Sequence, residues 1–126
     1  MSTEQTTYSA VLGVVLANLR KRLGVDQRDM ADRMGLSQAS YSRLEGGKSA
    51  FSVDQMFQAA TALDIAADEL NQQLNGTVLQ LQANGVEVLP QLRGSTTQAK
   101  DAGIGLGHVL AGAALGALLI SLLSKR

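Results

Sequence analysis

Polar side chains are concentrated in one window of the chain, residues 27–47, QRDMADRMGLSQASYSRLEGG. Serine, glutamine and arginine donate or accept hydrogen bonds, but this window has no cysteine or histidine that could act as a nucleophile or bind a metal. The whole chain has one histidine and no cysteine. It also lacks a glycine-rich phosphate loop and a recognisable pair of catalytic carboxylates. We therefore expect non-covalent recognition, with no enzymatic activity, no metal and no cofactor.

Two short helices joined by a tight turn at Gly35 would position these side chains. The first is expected over residues 27–34, with Asp26 as its N-cap, and the second over residues 38–45, with Ser37 as its N-cap. This is the layout of a helix-turn-helix, in which the second helix enters the major groove of DNA. The window predicts sequence-directed DNA binding.

Three further helices are expected around this pair, at about Ser9–Leu23, after Ser52, and at about Ala67–Leu74. The apolar stripe of the first comprises Leu12, Val15, Leu16, Leu19 and Leu23. The stripe of the fourth comprises Val53, Met56, Phe57, Ala60 and Leu63. Five helices with short connections predict a compact all-α domain.

Several residues at fixed spacing carry a family pattern. They are Gln27, Met30-Ala31, Gly35, Ser37-Gln38, Tyr41-Ser42-Arg43-Leu44-Glu45 with Gly47, and the segment LDIAADEL at 63–70. On these residues, positions 9–72 resemble the helix-turn-helix domain of lambda-repressor-like, Cro/Xre-type regulators. The resemblance implies a five-helix domain that binds double-stranded DNA in a transcriptional regulator.

The resemblance also implies which side chains touch DNA, because the first residues of the second helix reach base edges in this family. Gln38 would bond to an adenine through its N6 and N7 atoms, and Ala39 would touch a thymine methyl group. Arg43 would reach a guanine or a phosphate. The other implied contacts, mainly to phosphates, are Gln27, Ser37, Ser40, Lys48 and Ser49.

A structural ion pair is a further implication of the resemblance. Members of the family often pair an arginine of the first helix with a glutamate at the end of the third, and Arg20 and Glu45 occupy those positions. Removing Glu45 alone would leave a poorly compensated arginine.

Residues 77–90, TVLQLQANGVEVLP, alternate between apolar and polar side chains. Asn84-Gly85 lies at the centre of this pattern, and Asn-Gly between alternating runs is a strong signal for a β-hairpin. An isolated hairpin is marginally stable in water, so its apolar side should pack on the helical domain or on a second copy. The sequence thus predicts a hairpin over 75–92 as a candidate dimerisation element.

The charge of the chain argues for such a second copy. Residues 1–74 carry seven basic and nine acidic side chains, a net charge of −2. A domain that bound DNA by bulk charge would be strongly basic. We therefore expect a homodimer or a higher homo-oligomer on a pseudo-palindromic site.

A polar linker is expected at 93–102, followed by a hydrophobic helix at 103–126. Residues 103–123 contain no charged side chain and would span roughly 30 Å as a helix, about the thickness of a bilayer core. Small residues with four-residue spacing would allow close helix packing. They are Gly103, Gly107, Ala111, Gly112 and Gly116. Two interpretations remain open: a tail anchor in the membrane, and a helix buried in a soluble oligomer.

The N-terminal region does not have the charge order of an export signal. Residues 10–17, AVLGVVLA, have the length of a signal-peptide core, but their basic residues follow at Arg20–Arg22 instead of preceding them. We expect a cytoplasmic protein, which the tail-anchor interpretation would attach to the inner membrane. The leading interpretation is a transcriptional regulator, and the alternative is a membrane-anchored scaffold whose helix-turn-helix binds a protein.

Overall fold

A computed structural model describes residues 4–90 and 109–124 of the chain. Within these ranges the chain forms six helices and three short strands. The helices are α1 Tyr8–Arg22, α2 Gln27–Met34, α3 Gln38–Glu45, α4 Val53–Ala62, α5 Ala67–Ala83 and α6 Gly112–Ser124. The strands are β1 Gln5–Thr7, β2 Glu87–Leu89 and β3 Val109–Leu110. The predicted mainly helical fold is confirmed, with a small sheet added to it.

Local side-chain caps set the ends of α2 and α3. The Asp26 carboxylate accepts a hydrogen bond from the Asp29 N–H at 2.8 Å, and the Ser37 hydroxyl accepts one from the Ser40 N–H at 3.1 Å. Gly35 lies between the helices with a φ of 70°, in the left-handed region that favours glycine. These contacts confirm the predicted bounds of both helices.

The apolar side chains of α1 form the centre of the core. Those buried as predicted are Leu12, Val15, Leu16 and Leu19. Three other side chains expected on apolar faces are exposed instead: Leu23 by 52%, Val53 by 69% and Phe57 by 52%. Leu23 follows the last residue of α1 as its C-cap. Helix α4 packs through Ala59, Ala60 and Ala62, with Met56 partly buried against the core, so Val53 and Phe57 are left facing solvent.

The predicted hairpin over 75–92 is wrong, because its first strand belongs to α5. This helix continues to Ala83 and buries Leu70, Val78 and Leu81 on the side that packs against α1. Their spacing of eight and three residues fits one face of a helix. The alternating sequence thus contains a helical pattern as well, and α5 buries the apolar side chains that follow this pattern.

Asn84-Gly85 ends α5 instead of joining two strands. Gly85 has a φ of 83°, and its N–H donates to the Gln82 carbonyl oxygen at 3.1 Å. A glycine with positive φ is a common helix terminus as well as a common hairpin residue. The same two residues therefore fit both structures, and the packing of the preceding helix decides between them.

Strand β1 lies at the centre of a three-stranded sheet in the order β2-β1-β3, with both pairings parallel. Thr6 of β1 lies opposite Val88 on one side and Leu110 on the other. Its side chain is fully buried, and its Oγ1 donates to the Leu110 carbonyl oxygen at 2.6 Å. The sheet thus connects the N-terminal residues, the chain after α5 and the C-terminal segment.

Helix α6 packs on α1 and buries Leu115 and Leu119, which are one turn apart. The predicted helix over 103–126 is shorter in the structure, because Val109–Leu110 form a strand and α6 begins at Gly112. Residues 103–108 and the predicted linker 93–102 lie outside the described residues. Within residues 4–90 and 109–124, no helix combines the length and the apolar character needed to cross a membrane.

Candidate nucleic-acid interface

Helix α3 presents a polar face to solvent. Gln38, Ala39 and Arg43 are exposed on it, whereas Tyr41 and Leu44 on the opposite side are buried. Among the described residues, the side chains of Gln38 and Arg43 have no hydrogen-bond or ion-pair partner. Both are therefore available to a ligand that lies along α3.

The two serines at the start of α3 bond to each other. The Ser37 hydroxyl donates to Ser40 Oγ at 3.0 Å and also accepts from the Ser40 N–H. Its single proton is thus used within the cap, while the Ser40 hydroxyl retains a donor. In this arrangement Ser40 is better placed than Ser37 to donate to a phosphate.

The loop after α3 places Lys48 and Ser49 beside the end of that helix. The backbone N–H groups of both residues donate to the Arg43 carbonyl oxygen, at 2.8 and 3.2 Å. Lys48 is exposed and Ser49 is half-buried. The loop therefore holds one cation and one hydroxyl next to the polar face of α3.

Arg20 and Glu45 form a buried, bidentate ion pair. Arg20 Nε donates to Glu45 Oε2 and Arg20 Nη2 to Glu45 Oε1, both at 2.9 Å, and Arg20 Nη1 donates to the Val25 carbonyl oxygen. The two residues are only 7% and 8% exposed. The structure thus brings together the two residues that the family pattern paired, and they fix the end of α3 to α1.

Gln27 joins this pair. Its Nε2 donates to Glu45 Oε1 at 2.8 Å, and the side chain is half-buried. Sequence reasoning assigned Gln27 only to a phosphate and missed this contact. The second amide proton and the backbone N–H at the start of α2 remain for an anion.

The ion pair shifts the pKa of both partners in the direction that keeps them charged. The hydrogen bond to Glu45 raises the pKa of Arg20 above its ordinary value. Burial pushes the pKa of Glu45 upward, but the hydrogen bonds from Arg20 and Gln27 outweigh it and leave that pKa below its ordinary value. Glu45 is therefore a carboxylate at neutral pH.

Comparison with known proteins agrees with this geometry. Residues 16–70 match the helix-turn-helix family, and that range contains α2, α3, Arg20 and Glu45. Residues 16–70, the helix-turn-helix domain, are thus similar to this family in sequence and contain the two helices and the turn that define it.

The chain is 40% identical over 55 residues to the cryptic phage CTXphi transcriptional repressor RstR of Vibrio cholerae serotype O1. The match covers 44% of this chain and 49% of that protein, so the chain spans about half the length of the curated relative.

Two crystal structures of the clp gene regulator ClgR from Corynebacterium glutamicum have the same fold. One has a TM-score of 0.53 at 24% identity and covers 56% of this chain and 91% of that chain. The other has a TM-score of 0.58 at 23% identity and covers 61% and 82%.

Tyr41 belongs to the interior of the helix-turn-helix domain beside the ion pair. The ring is fully buried, and within the described residues its hydroxyl has no hydrogen-bond partner. Burial raises the pKa of this hydroxyl well above its ordinary value. The sequence predicted an inward-facing Tyr41 but gave no sign that it lies next to Arg20 and Glu45.

Gly13 is a residue that sequence reasoning missed. It lies where α1 crosses the end of α3, and a Cβ atom built on it would come within 2.4 Å of the Glu45 carbonyl oxygen. Only a glycine permits this approach of the two backbones. A glycine inside the otherwise apolar run of residues 10–17 was the available signal.

Replacing Gly13 by alanine is expected to lower the free energy of unfolding by about 1–3 kcal/mol, because α1 and α3 must move apart. Gly76→Ala is the matched control: Gly76 is also within a helix, and an added Cβ there would meet no atom within 4 Å. That variant should be unchanged or more stable by up to about 1 kcal/mol. Urea unfolding of both variants measures the difference, and equal stabilisation by the two would contradict the close approach.

Two of the five predicted helix-packing residues, Ala111 and Gly112, contact the end of α3 in the same chain. Ala111 and Gly112 lie against Gly46-Gly47 at the end of α3, where an added Cβ on Gly47 would be 2.8 Å from Ala111 Cβ. For Gly116, no atom of residues 4–90 or 109–124 lies within 4 Å of such a Cβ. Gly103 and Gly107 lie outside the described residues.

Proposed function

We propose that this chain is a sequence-specific DNA-binding transcriptional regulator of the Cro/Xre type. The observation that carries the proposal is the exposed polar face of α3. The Arg20–Glu45 pair fixes the end of this helix to α1. A rigid helix with free amide and guanidinium groups has the chemistry needed to read base edges in the major groove. The similarity to a phage transcriptional repressor supports the same function.

Each residue has a proposed role on DNA. Gln38 bonds to adenine, Ala39 contacts a thymine methyl group, and Arg43 reaches a guanine or a phosphate. The remaining contacts position the domain on the phosphate backbone. They are made by Gln27, Ser37, Ser40, Lys48 and Ser49.

We further propose that two copies bind one pseudo-palindromic site. The net charge of −2 over residues 1–74 supports this, because one slightly acidic domain gains little from counterion release. The proposed site of action is the cytoplasm, where bacterial and phage DNA is read. The tail anchor is not part of the proposal, since the described residues contain no helix that could cross a membrane.

Replacing Gln38 by alanine is expected to weaken binding to the preferred DNA by about 10- to 100-fold, which corresponds to roughly 1–3 kcal/mol for a two-pronged base contact. The preferred duplex is first selected from a random pool with the full chain. Affinities are then measured by fluorescence anisotropy at one fixed salt concentration. Sequence preference should also relax at one base pair of each half-site.

Gln72→Ala is the matched control, because Gln72 is an exposed glutamine on α5. It should bind within about twofold of the original chain. If the full chain enriches no sequence, or if Gln38→Ala keeps both affinity and preference, the proposed DNA contact is wrong. Retained cellular function without DNA binding would point instead to a protein-binding scaffold.

A further inference from the structure

A cavity of about 460 Å³ lies between α6 and the helix-turn-helix domain. Its walls come from α1, the first residue of α2, the end of α3 and one side of α6. This volume falls within the range of about 300–1,000 Å³ that is typical of small-molecule sites. The C-terminal segment thus forms one wall of a cleft that the helix-turn-helix domain alone would not enclose.

Part of this cleft is lined by small and apolar residues. Val14 and Ala17 line it from α1, and Ala113, Gly116 and Ala117 line it from α6. Among the described residues, a Cβ added to Gly116 would meet no atom within 4 Å. These residues of α1 and α6 can pack against a hydrocarbon chain.

The cleft carries one positive charge that is not neutralised. Its charged lining residues are Lys21 and Glu45. Both oxygens of Glu45 are bound by Arg20. Lys21 is exposed and, among the described residues, has no ion-pair partner. The Asn18 amide on the same helix adds a hydrogen-bond donor to this side of the cleft.

We propose that this cleft is a binding site for a small amphipathic monoanion, a medium-chain carboxylate. The carboxylate pairs with Lys21, and the alkyl chain lies between α1 and α6. Because the ligand touches both α6 and the helix-turn-helix domain, it stabilises the docked position of the C-terminal segment.

The site is also connected to the DNA-reading elements. Gln27 opens α2, and Glu45 and Gly46 end α3, and all three line the cleft. A ligand there would therefore change the affinity for DNA, in the manner of a small effector. This last step rests on the proposed DNA-binding function, whereas binding of the ligand to the cleft does not.

The test uses the full chain and octanoate as the probe, with isothermal titration calorimetry as the readout. We expect saturable binding to one site with a dissociation constant below about 1 mM. Octanol and octylammonium, which lack the negative charge, should bind at least about threefold more weakly. The melting temperature of the chain should rise by a few degrees at saturating octanoate.

Two variants locate the site. Gly116→Leu fills the open space and should abolish saturable binding, while Lys21→Gln should weaken it by about 3- to 10-fold. Their matched controls are Gly76→Leu, another helical glycine with open space around it, and Arg22→Gln, an exposed neighbour of Lys21 that does not line the cleft. Both controls should bind octanoate as the original chain does.

Three results would overturn the proposal: no saturable octanoate binding, equal binding of octanol, or unchanged binding by Gly116→Leu. These measurements contain no DNA, so their outcome is independent of the proposed regulator function. If octanoate binds and DNA affinity is unchanged by it, the site stands and only its coupling to DNA is wrong.

Discussion

Replacing Glu45 by alanine is expected to lower the free energy of unfolding by about 3–5 kcal/mol, because it leaves a buried arginine without its counter-charge. Arg20, which is 7% exposed in the structure, would lose two hydrogen bonds of 2.9 Å and the compensating charge. Gln27 would lose its acceptor as well. The loss should appear in urea unfolding at pH 7 and be accompanied by weaker DNA binding, since Glu45 ends the helix that carries Gln38.

Two companion variants separate the ion pair from other effects. Glu69→Ala removes an exposed carboxylate on α5 and should change the stability by less than about 0.5 kcal/mol. The double variant Arg20→Leu/Glu45→Leu removes both charges together and should be clearly more stable than Glu45→Ala. If Glu45→Ala matched Glu69→Ala, the buried pair would contribute nothing to the fold.

The contribution of Glu45 also depends on pH. Because the pKa of Glu45 is lowered in the folded chain, its stabilising effect is fully present above the ordinary glutamate pKa of about 4.3. This stabilising effect is lost as the pH falls below the ordinary glutamate pKa and through the lowered pKa of Glu45 in the folded chain. The difference in stability between the original chain and Glu45→Ala should therefore be constant near neutral pH and shrink below about pH 4.3.

Replacing Leu115 by alanine is expected to lower the free energy of unfolding by about 2–5 kcal/mol, as for other fully buried leucines. Leu115 lies on α6 with none of its surface exposed, in the core formed with α1. Since β3 also pairs with β1, we expect the C-terminal segment to unfold together with the rest of the chain. Urea unfolding of the full chain, followed by circular dichroism, measures the change.

Leu79→Ala is the matched control, because Leu79 is a helical leucine that is 58% exposed. This substitution should lower the free energy of unfolding by less than about 1 kcal/mol. A Leu115→Ala variant as stable as Leu79→Ala would mean that α6 is not docked. The C-terminal segment would then be available for the self-association or membrane insertion that its composition alone allowed.

The parts of the fold predicted correctly are those decided within a few residues. Asp26, Gly35 and Ser37 set the ends of α2 and α3 through bonds to their own neighbours. The polar face that begins at Gln38 follows from the helical repeat once those ends are known. The site could therefore be placed on α3 before any tertiary contact was known.

The predictions that failed needed information from distant parts of the chain. Residues 77–83 fit a strand and a helix equally well as a pattern, and burial of Val78 and Leu81 on α1 selected the helix. Phe57 was expected in the core, but α4 packs through its alanines. A short window specifies periodicity, and it does not specify which neighbour covers which face.

The sequence by itself determined the helix-turn-helix, its caps and the side chains available for base contacts, because local hydrogen bonds and helical periodicity need no distant partner. Only the tertiary structure decided the position of the C-terminal segment. Its uncharged composition suits a bilayer, an oligomer or a protein core alike. The parallel pairing of β3 with β1, the burial of Leu115 and the approach of Gly112 to Gly46 place it on the domain. Contacts across about a hundred residues of chain make that choice, and no local pattern encodes them.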